Sequence, residues 1–183
     1  WYRMGLAQEA RSDHAGAERA FARAAELSPE SGEAAFHRAL ALTTLGRPAE
    51  ALMNLEAALE ADPHRTDAWF RKGLVLLDLG RREQAVEAFD AALRISPEHG
   101  AAWFQKGLAL EAAGKREEAS GCYEAAVRFE PASVQGWQRL GRIRITLGRL
   151  EEGLLALDHA LELDPLDGDV LLSLASALAR LGR

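Results

Sequence analysis

Residues 66–99 read TDAWFRKGLVLLDLGRREQAVEAFDAALRISPEH, and this stretch decides the fold. Its first half carries apolar residues at helical spacing. Gly80 ends that pattern, because glycine tolerates the left-handed conformation of a helix C-cap. Glu83 opens the second half, where an acidic side chain suits the positive end of a helix dipole. Pro97 closes it, since proline cannot continue a helix. The stretch therefore predicts two helices, one on each side of Gly80.

The same pattern recurs every 34 residues along the chain. Five of the six prolines share one phase of this period, which chance does not produce, and all four tryptophans share another. No stretch alternates polar and apolar residues over a useful length, so we expect an all-α protein without strands. The prolines in phase are Pro29, Pro63, Pro97, Pro131 and Pro165, the tryptophans are Trp1, Trp69, Trp103 and Trp137, and the helix-end glycines are Gly46, Gly80, Gly114, Gly148 and Gly182.

The composition excludes several classes of function. The chain has 183 residues, of which 48% are hydrophobic and 27% charged, as in folded domains. The net charge of −6 argues against a general affinity for nucleic acid or for anionic membranes. Cys122 is the single cysteine, and the five histidines fall in different phases of the repeat, so repeat stacking does not assemble a metal site. We expect no membrane insertion, no metal, no cofactor and no enzymatic activity.

The order of residue types in the repeat resembles the tetratricopeptide repeat family. Members of this family are right-handed α-solenoids, in which antiparallel helix pairs form a superhelix. The first helices line a concave groove, which usually holds a peptide or helix of a protein partner. The resemblance therefore implies a non-catalytic interaction module. It is carried most clearly by Trp69, Gly73, Ala85, Phe89, Ala92 and Pro97, and again by Trp103, Gly107, Ala119, Tyr123, Ala126 and Pro131.

The register predicts a single repeat array. Both ends of the chain fall inside a repeat, so we expect a fragment of a longer protein. A cytoplasmic setting is the default expectation, and a composition rich in Ala, Arg, Leu and Glu is compatible with a bacterial source. The predicted divisions are a partial repeat at 1–31, full repeats at 32–65, 66–99, 100–133 and 134–167, and the first helix of a further repeat or a capping helix at 168–183.

One stripe of each first helix points away from the second helix and predicts the groove. The stripe is apolar and aromatic in the first four repeats and becomes polar and basic in the next. We expect an apolar peptide or amphipathic helix along the first part. A carboxylate near Arg139 and Arg142 would complete the site. Core packing is the alternative for each aromatic residue, and a solvated face is the alternative for the two arginines. The predicted partner-binding residues are Tyr2, Phe36, Leu40, Phe70, Arg71, Leu74, Phe104, Leu108, Arg139 and Arg142.

Three functions fit these patterns. The leading hypothesis is an adaptor that holds a partner peptide in the groove. The second is a self-associating assembly scaffold, because the end of a repeat array presents an apolar face, here at Leu171, Leu174 and Leu178. The third is a regulatory or targeting arm of a larger enzyme. The sequence does not identify the partner.

Overall fold

The computed structural model describes residues 1–180, and within them every regular element is helical. The prediction of an all-α helical repeat is therefore confirmed. The chain divides into two compact units, Trp1–Pro97 and Glu98–Arg183. The first unit contains α1 (Tyr2–Ala10), α2 (His14–Leu27), a 3₁₀ turn (Pro29–Ser31), α3 (Glu33–Thr44), α4 (Pro48–Ala61), α5 (Thr66–Asp78) and α6 (Arg82–Ile95). The second contains α7 (Gly100–Ala112), α8 (Arg116–Phe129), α9 (Val134–Thr146), α10 (Leu150–Leu163) and α11 (Gly168–Arg180).

Consecutive helices pack against each other within each unit. In the N-terminal unit this stacking runs from α1 to α6, and in the C-terminal unit from α7 to α11. A single helix pair cannot bury its apolar face alone, so the buried core arises between neighbours. Odd-numbered helices are the first helices of the repeats and even-numbered helices are the second.

Glycine ends the first helix where the sequence predicted it. Gly46, Gly80, Gly114 and Gly148 all have positive φ angles, between 70° and 82°. At Gly80 the backbone N–H donates to the carbonyl of Leu77 at 2.9 Å, which closes the helix end. Gly182, which belongs to the same register, lies outside the described residues. Ser12 occupies this register in the first repeat and also has a positive φ, 60°.

A small residue on the first helix faces a large one on the second helix of the same repeat. A Cβ atom at Gly107 would lie 2.6 Å from the ring of Tyr123, and Gly73 is equally tight against Phe89. Both rings are fully buried. In the second repeat Ala39 replaces the glycine and a leucine replaces the ring. Glycine is not confined to repeats with a ring, because a Cβ atom at Gly141 would lie 2.7 Å from the side chain of Leu157. In each of these repeats a small residue lets the first helix approach a large side chain of the second helix closely.

Tryptophan ties the loop between repeats to the helix that follows. The indole N–H of Trp69 donates to the carbonyl of Pro63 at 2.9 Å, and that of Trp137 donates to Pro131 at 2.9 Å. Proline has no N–H of its own, so its carbonyl is its one backbone hydrogen-bonding group. The shared period of proline and tryptophan thus has a direct structural cause in these two repeats.

Candidate partner-binding surfaces

Six of the ten predicted partner-binding residues lie on α1, α3 and α5 of the N-terminal unit. We call this set the N-terminal first-helix surface: Tyr2, Phe36, Leu40, Phe70, Arg71 and Leu74. Four of its apolar side chains are half-buried, and they therefore contribute both to the core and to the surface. Arg71 is exposed, and within residues 1–180 its side chain makes no hydrogen bond or ion pair.

The aromatic residues of this surface also anchor it to the core. The ring centroid of Phe70 lies 5.9 Å from that of Phe89 on the second helix of the same repeat. Tyr2 lies 5.7 Å from Phe21 in the same way. The core packing considered for these aromatic residues therefore does occur, against the second helix of the same repeat, and Tyr2 also contacts the adjacent first helix, since its ring centroid lies 5.6 Å from that of His37 on α3. Each ring has one side in the core and another available to solvent.

Phe36 differs from the other aromatic residues because a neighbouring arginine covers it. Only 6% of Phe36 is exposed, and the guanidinium carbon of Arg65 lies 4.0 Å from its ring centroid. Arg65 also donates to both carboxylate oxygens of Glu33, at 2.7 and 3.3 Å. This arginine lowers the pKa of the Glu33 carboxyl. With Arg65 in this place, Phe36 offers little surface to a partner.

His37 belongs to an aromatic cluster on the same surface. Its imidazole lies 5.3 Å from the ring of Phe21 and 5.6 Å from that of Tyr2, between ring centroids. Its Nδ1 atom lies 3.3 Å from a carboxylate oxygen of Glu9. Because these contacts occupy the ring, the structure gives His37 a packing role on this surface.

The C-terminal unit carries the other four predicted residues, on α7 and α9. We call Phe104, Leu108, Arg139 and Arg142 the C-terminal first-helix surface. Phe104 and Leu108 are half-buried, and the Phe104 ring lies 5.8 Å from the ring of Tyr123. The apolar part of this surface therefore repeats the arrangement of Phe70 with Phe89.

The two arginines of this surface have different environments. Arg139 lies 3.5 Å from a carboxylate oxygen of Glu111 on α7. That carboxylate also accepts a hydrogen bond from the buried hydroxyl of Tyr123 at 2.6 Å. Burial raises the pKa of the Tyr123 hydroxyl, and the adjacent Glu111 raises it further. Arg139 is thus already held by a carboxylate of its own chain.

Arg142 lies at a concavity between α9 and α11, about 400 Å³ in volume. Two hydroxyl groups in the wall of this concavity are committed to the backbone, since Thr146 donates to the carbonyl of Arg142 and Ser173 to that of Asp169. Arg142 is exposed and has no ion-pair partner within residues 1–180. The predicted partner-binding set includes Arg142 but none of the α11 residues that line this concavity. Its lining residues are Arg142, Ile145, Thr146, Asp169, Leu172, Ser173 and Ser176.

Two other kinds of site are absent from the part of the chain that the structure describes. Within residues 1–180, no group of three or more His, Cys, Asp or Glu side chains is placed to hold a metal ion. Over the same residues, no helix combines the length and the apolar character needed to cross a bilayer.

The fold and its repeated first-helix surfaces define an all-α helical repeat protein. A family model described as tetratricopeptide repeat matches residues 2–63, 44–100, 70–134, 104–163 and 139–183. The chain therefore belongs to the tetratricopeptide repeat family, whose members are generally non-catalytic interaction modules. A comparison with curated proteins finds no match.

Solved structures with a similar fold agree with this assignment. A crystal structure of YrrB, described as a TPR protein with an unusual peptide-binding site, matches with a TM-score of 0.81 at 21% identity, covering 94% of this chain and 89% of that one. MamA residues 41 to the end from Desulfovibrio magneticus RS-1 match with a TM-score of 0.79 at 23% identity, covering 91% and 95%. A thermophilic TPR protein from Thermus thermophilus matches with a TM-score of 0.66 at 26% identity, covering 97% of each chain.

Proposed function

We propose that this chain is an adaptor that binds a peptide or amphipathic helix of a partner protein on its N-terminal first-helix surface. The single observation behind the proposal is that Leu40, Phe70 and Leu74 are all half-buried, while Arg71, on the same helix as Phe70 and Leu74, is exposed and makes no ion pair within residues 1–180. Partly exposed apolar side chains next to a free cation suit an amphipathic segment with an acidic edge. YrrB, which has a similar fold and is described as having a peptide-binding site, adds support.

The proposal is tested by photo-crosslinking from position 70. Benzoylphenylalanine replaces Phe70, the protein is irradiated in native lysate, and the adduct is identified by mass spectrometry. The same group in place of Met53, which is 69% exposed on α4, is the matched control. A partner that crosslinks from position 70 and not from position 53 supports the proposal. A partner captured equally from both positions contradicts it.

Affinity measurements on the partner so obtained test individual residues. We expect Phe70→Ala combined with Leu74→Ala to weaken binding by about tenfold or more, because a few buried apolar residues carry most of an interface energy. Phe70 also contacts Phe89, so circular dichroism must show an unchanged helical content. Arg71→Glu provides a second test that leaves the core intact, since Arg71 is exposed. Unchanged affinity in both variants would contradict the proposal.

Self-association is a second candidate, supported by the exposure of α11. Leu171 is 45% exposed and Leu172 is 71% exposed, while Leu174 and Leu178 are half-buried. An apolar helix face of this kind is a surface on which a second copy can pack. Light scattering over a wide concentration range tests it. A monomer at the highest concentration would exclude it, and an oligomer that Leu171→Glu dissociates would support it.

A further inference from the structure

The N-terminal unit also contains a concavity, and none of the residues of the N-terminal first-helix surface lines it. Its volume is about 570 Å³, and it lies between the loop before α5, the start of α5 and the end of α6. Its apolar wall includes Trp69 and Ile95, and Ile95 is 36% exposed. We call it the Trp69 pocket. The residues that line it are Pro63, His64, Trp69, Ala91, Arg94 and Ile95.

The repeat offers an internal comparison for this pocket, two periods further along the chain. Trp137 occupies the register of Trp69, and His159 occupies that of Ala91. The imidazole of His159 lies on the indole of Trp137, with 4.8 Å between ring centroids and 35° between the ring planes. At Trp137 a side chain of the chain itself thus supplies a ring against the tryptophan. At Trp69 the alanine at position 91 supplies none.

The charge beside the ring is inverted between the two repeats. Nδ1 of His159 lies 3.0 Å from a carboxylate oxygen of Glu162. Arg94 occupies the register of Glu162, in the last turn of α6. Arg94 is exposed, and within residues 1–180 its side chain makes no hydrogen bond or ion pair. The ring that is missing from the Trp69 pocket would therefore lie beside a free cation and not beside a carboxylate.

The tryptophan itself is held in place. Its indole N–H donates to the carbonyl of Pro63 at 2.9 Å, so the ring needs no hydrogen-bonding partner from outside. Nζ of Lys72 already lies over this ring, 5.4 Å from its centroid. A ligand in the pocket would therefore contact the part of the ring that lines the pocket, together with Ile95. An aromatic group gains from stacking on tryptophan beyond the apolar area it buries. A carboxylate on the same ligand would gain a forked contact with the guanidinium.

From this arrangement we infer that the Trp69 pocket binds an aromatic side chain of a partner peptide that carries a neighbouring carboxylate. The aromatic ring takes the place that His159 takes on Trp137, and the carboxylate pairs with Arg94. This site is separate from the proposed groove and does not depend on it.

The experiment uses the intact chain and N-acetyl-L-phenylalanine as the probe, followed by ¹H–¹⁵N NMR of the indole N–H groups. Trp69→Phe and Trp137→Phe variants assign the two signals. We expect a saturable shift of the Trp69 signal and a smaller shift of the Trp137 signal. The uncharged amide of the same probe should bind more weakly. No saturable shift of Trp69, or an equal shift of Trp137, would overturn the inference.

Two variants distinguish specific binding in the Trp69 pocket from non-specific binding of the probe. Ala91→His introduces the residue found at position 159, and we expect it to abolish the shift of Trp69. Retention of the full shift in a folded Ala91→His protein would contradict the pocket. Ala91 is only 5% exposed, so the substitution could disturb the fold. Arg94→Glu is the second variant, at an exposed position, and should remove the preference for the acid over the amide. An unchanged preference would overturn the role of Arg94.

Discussion

The guanidinium of Arg65 covers the ring of Phe36, at 4.0 Å from its centroid. Arg65 precedes α5, whereas Phe36 lies one repeat earlier on α3. The same guanidinium donates to both oxygens of Glu33, so the carboxylate holds it in place while its carbon lies over the ring. Cation–ring contact and a forked carboxylate contact both favour this placement. A ring predicted to face the groove is in this way removed from it.

The contact between Arg65 and Glu33 predicts a pH-dependent stability. Arg65 lowers the pKa of Glu33 in the folded state, so the folded chain prefers the charged carboxylate. This stabilisation is fully present above the unfolded pKa of about 4.3 and is lost as the pH falls through the lower folded value. We expect Glu33→Gln to reduce the free energy of unfolding by about 0.5 kcal/mol near neutral pH, because the pair is partly exposed.

Urea titrations of the two proteins at several pH values measure this difference. The difference between the native chain and Glu33→Gln should shrink towards zero as the pH falls through the folded pKa of Glu33. A difference that stays constant across the acidic range would show that Arg65 does not act through the charge of Glu33.

The buried hydroxyl of Tyr123 predicts a loss of stability at alkaline pH. This hydroxyl donates to Glu111, and burial raises its pKa above the usual value. The stabilisation is therefore fully present below the unfolded pKa of about 10 and is lost as the pH rises above it. We expect Tyr123→Phe to cost about 1 kcal/mol near neutral pH and less above about pH 10.

Tyr2→Phe is the matched control for this experiment. The Tyr2 hydroxyl makes an exposed contact of 3.5 Å with Glu33, so its loss should cost less than the loss of the Tyr123 hydroxyl. Phenolate absorbance in the Tyr2→Phe protein then reports on Tyr123 alone. Ionisation of Tyr123 should coincide with unfolding. Ionisation in a fully folded protein would contradict the buried hydrogen bond.

The period of the sequence predicts the helix pairs because each helix end depends on local residues. Gly80, for example, ends α5 through its own backbone conformation. Which side chains are exposed at the surface depends on contacts between neighbouring repeats, and the sequence period does not predict those contacts. Arg65 reaches Phe36, and Arg139 reaches Glu111, across 28 or more residues of chain. Such contacts depend on the rotamers of long side chains, so the stripe predicts which residues are near the surface but not which are covered or paired.

Ser12 provides a test of the helix-end register. It adopts a φ of 60°, the conformation that glycine adopts at the other helix ends. A side chain in this conformation costs free energy that glycine avoids, although glycine gives back part of it through a freer unfolded chain. We expect Ser12→Gly to raise the free energy of unfolding by about 0.5 kcal/mol. Gly80→Ser is the reverse control, and it should destabilise through the backbone alone, because a Cβ atom there meets no other atom within 4 Å. Denaturant titrations of both variants check the prediction: the free energy of unfolding should rise in Ser12→Gly and fall in Gly80→Ser.

The two arginines of the C-terminal first-helix surface differ in whether the chain itself pairs them. Arg139 pairs with Glu111, whereas Arg142 is exposed without an ion pair in residues 1–180. We expect Arg139→Ala to lower the free energy of unfolding by about 0.5 kcal/mol and Arg142→Ala to leave it unchanged. Phenylglyoxal, which modifies accessible guanidinium groups, should react faster at Arg142 than at Arg139, as followed by mass spectrometry of the digested protein. Equal reactivity and an equal loss of stability would mean that Arg142 is held by the chain as Arg139 is. The surface would then have no free guanidinium at this place, and the predicted carboxylate site at Arg142 would lose its basis.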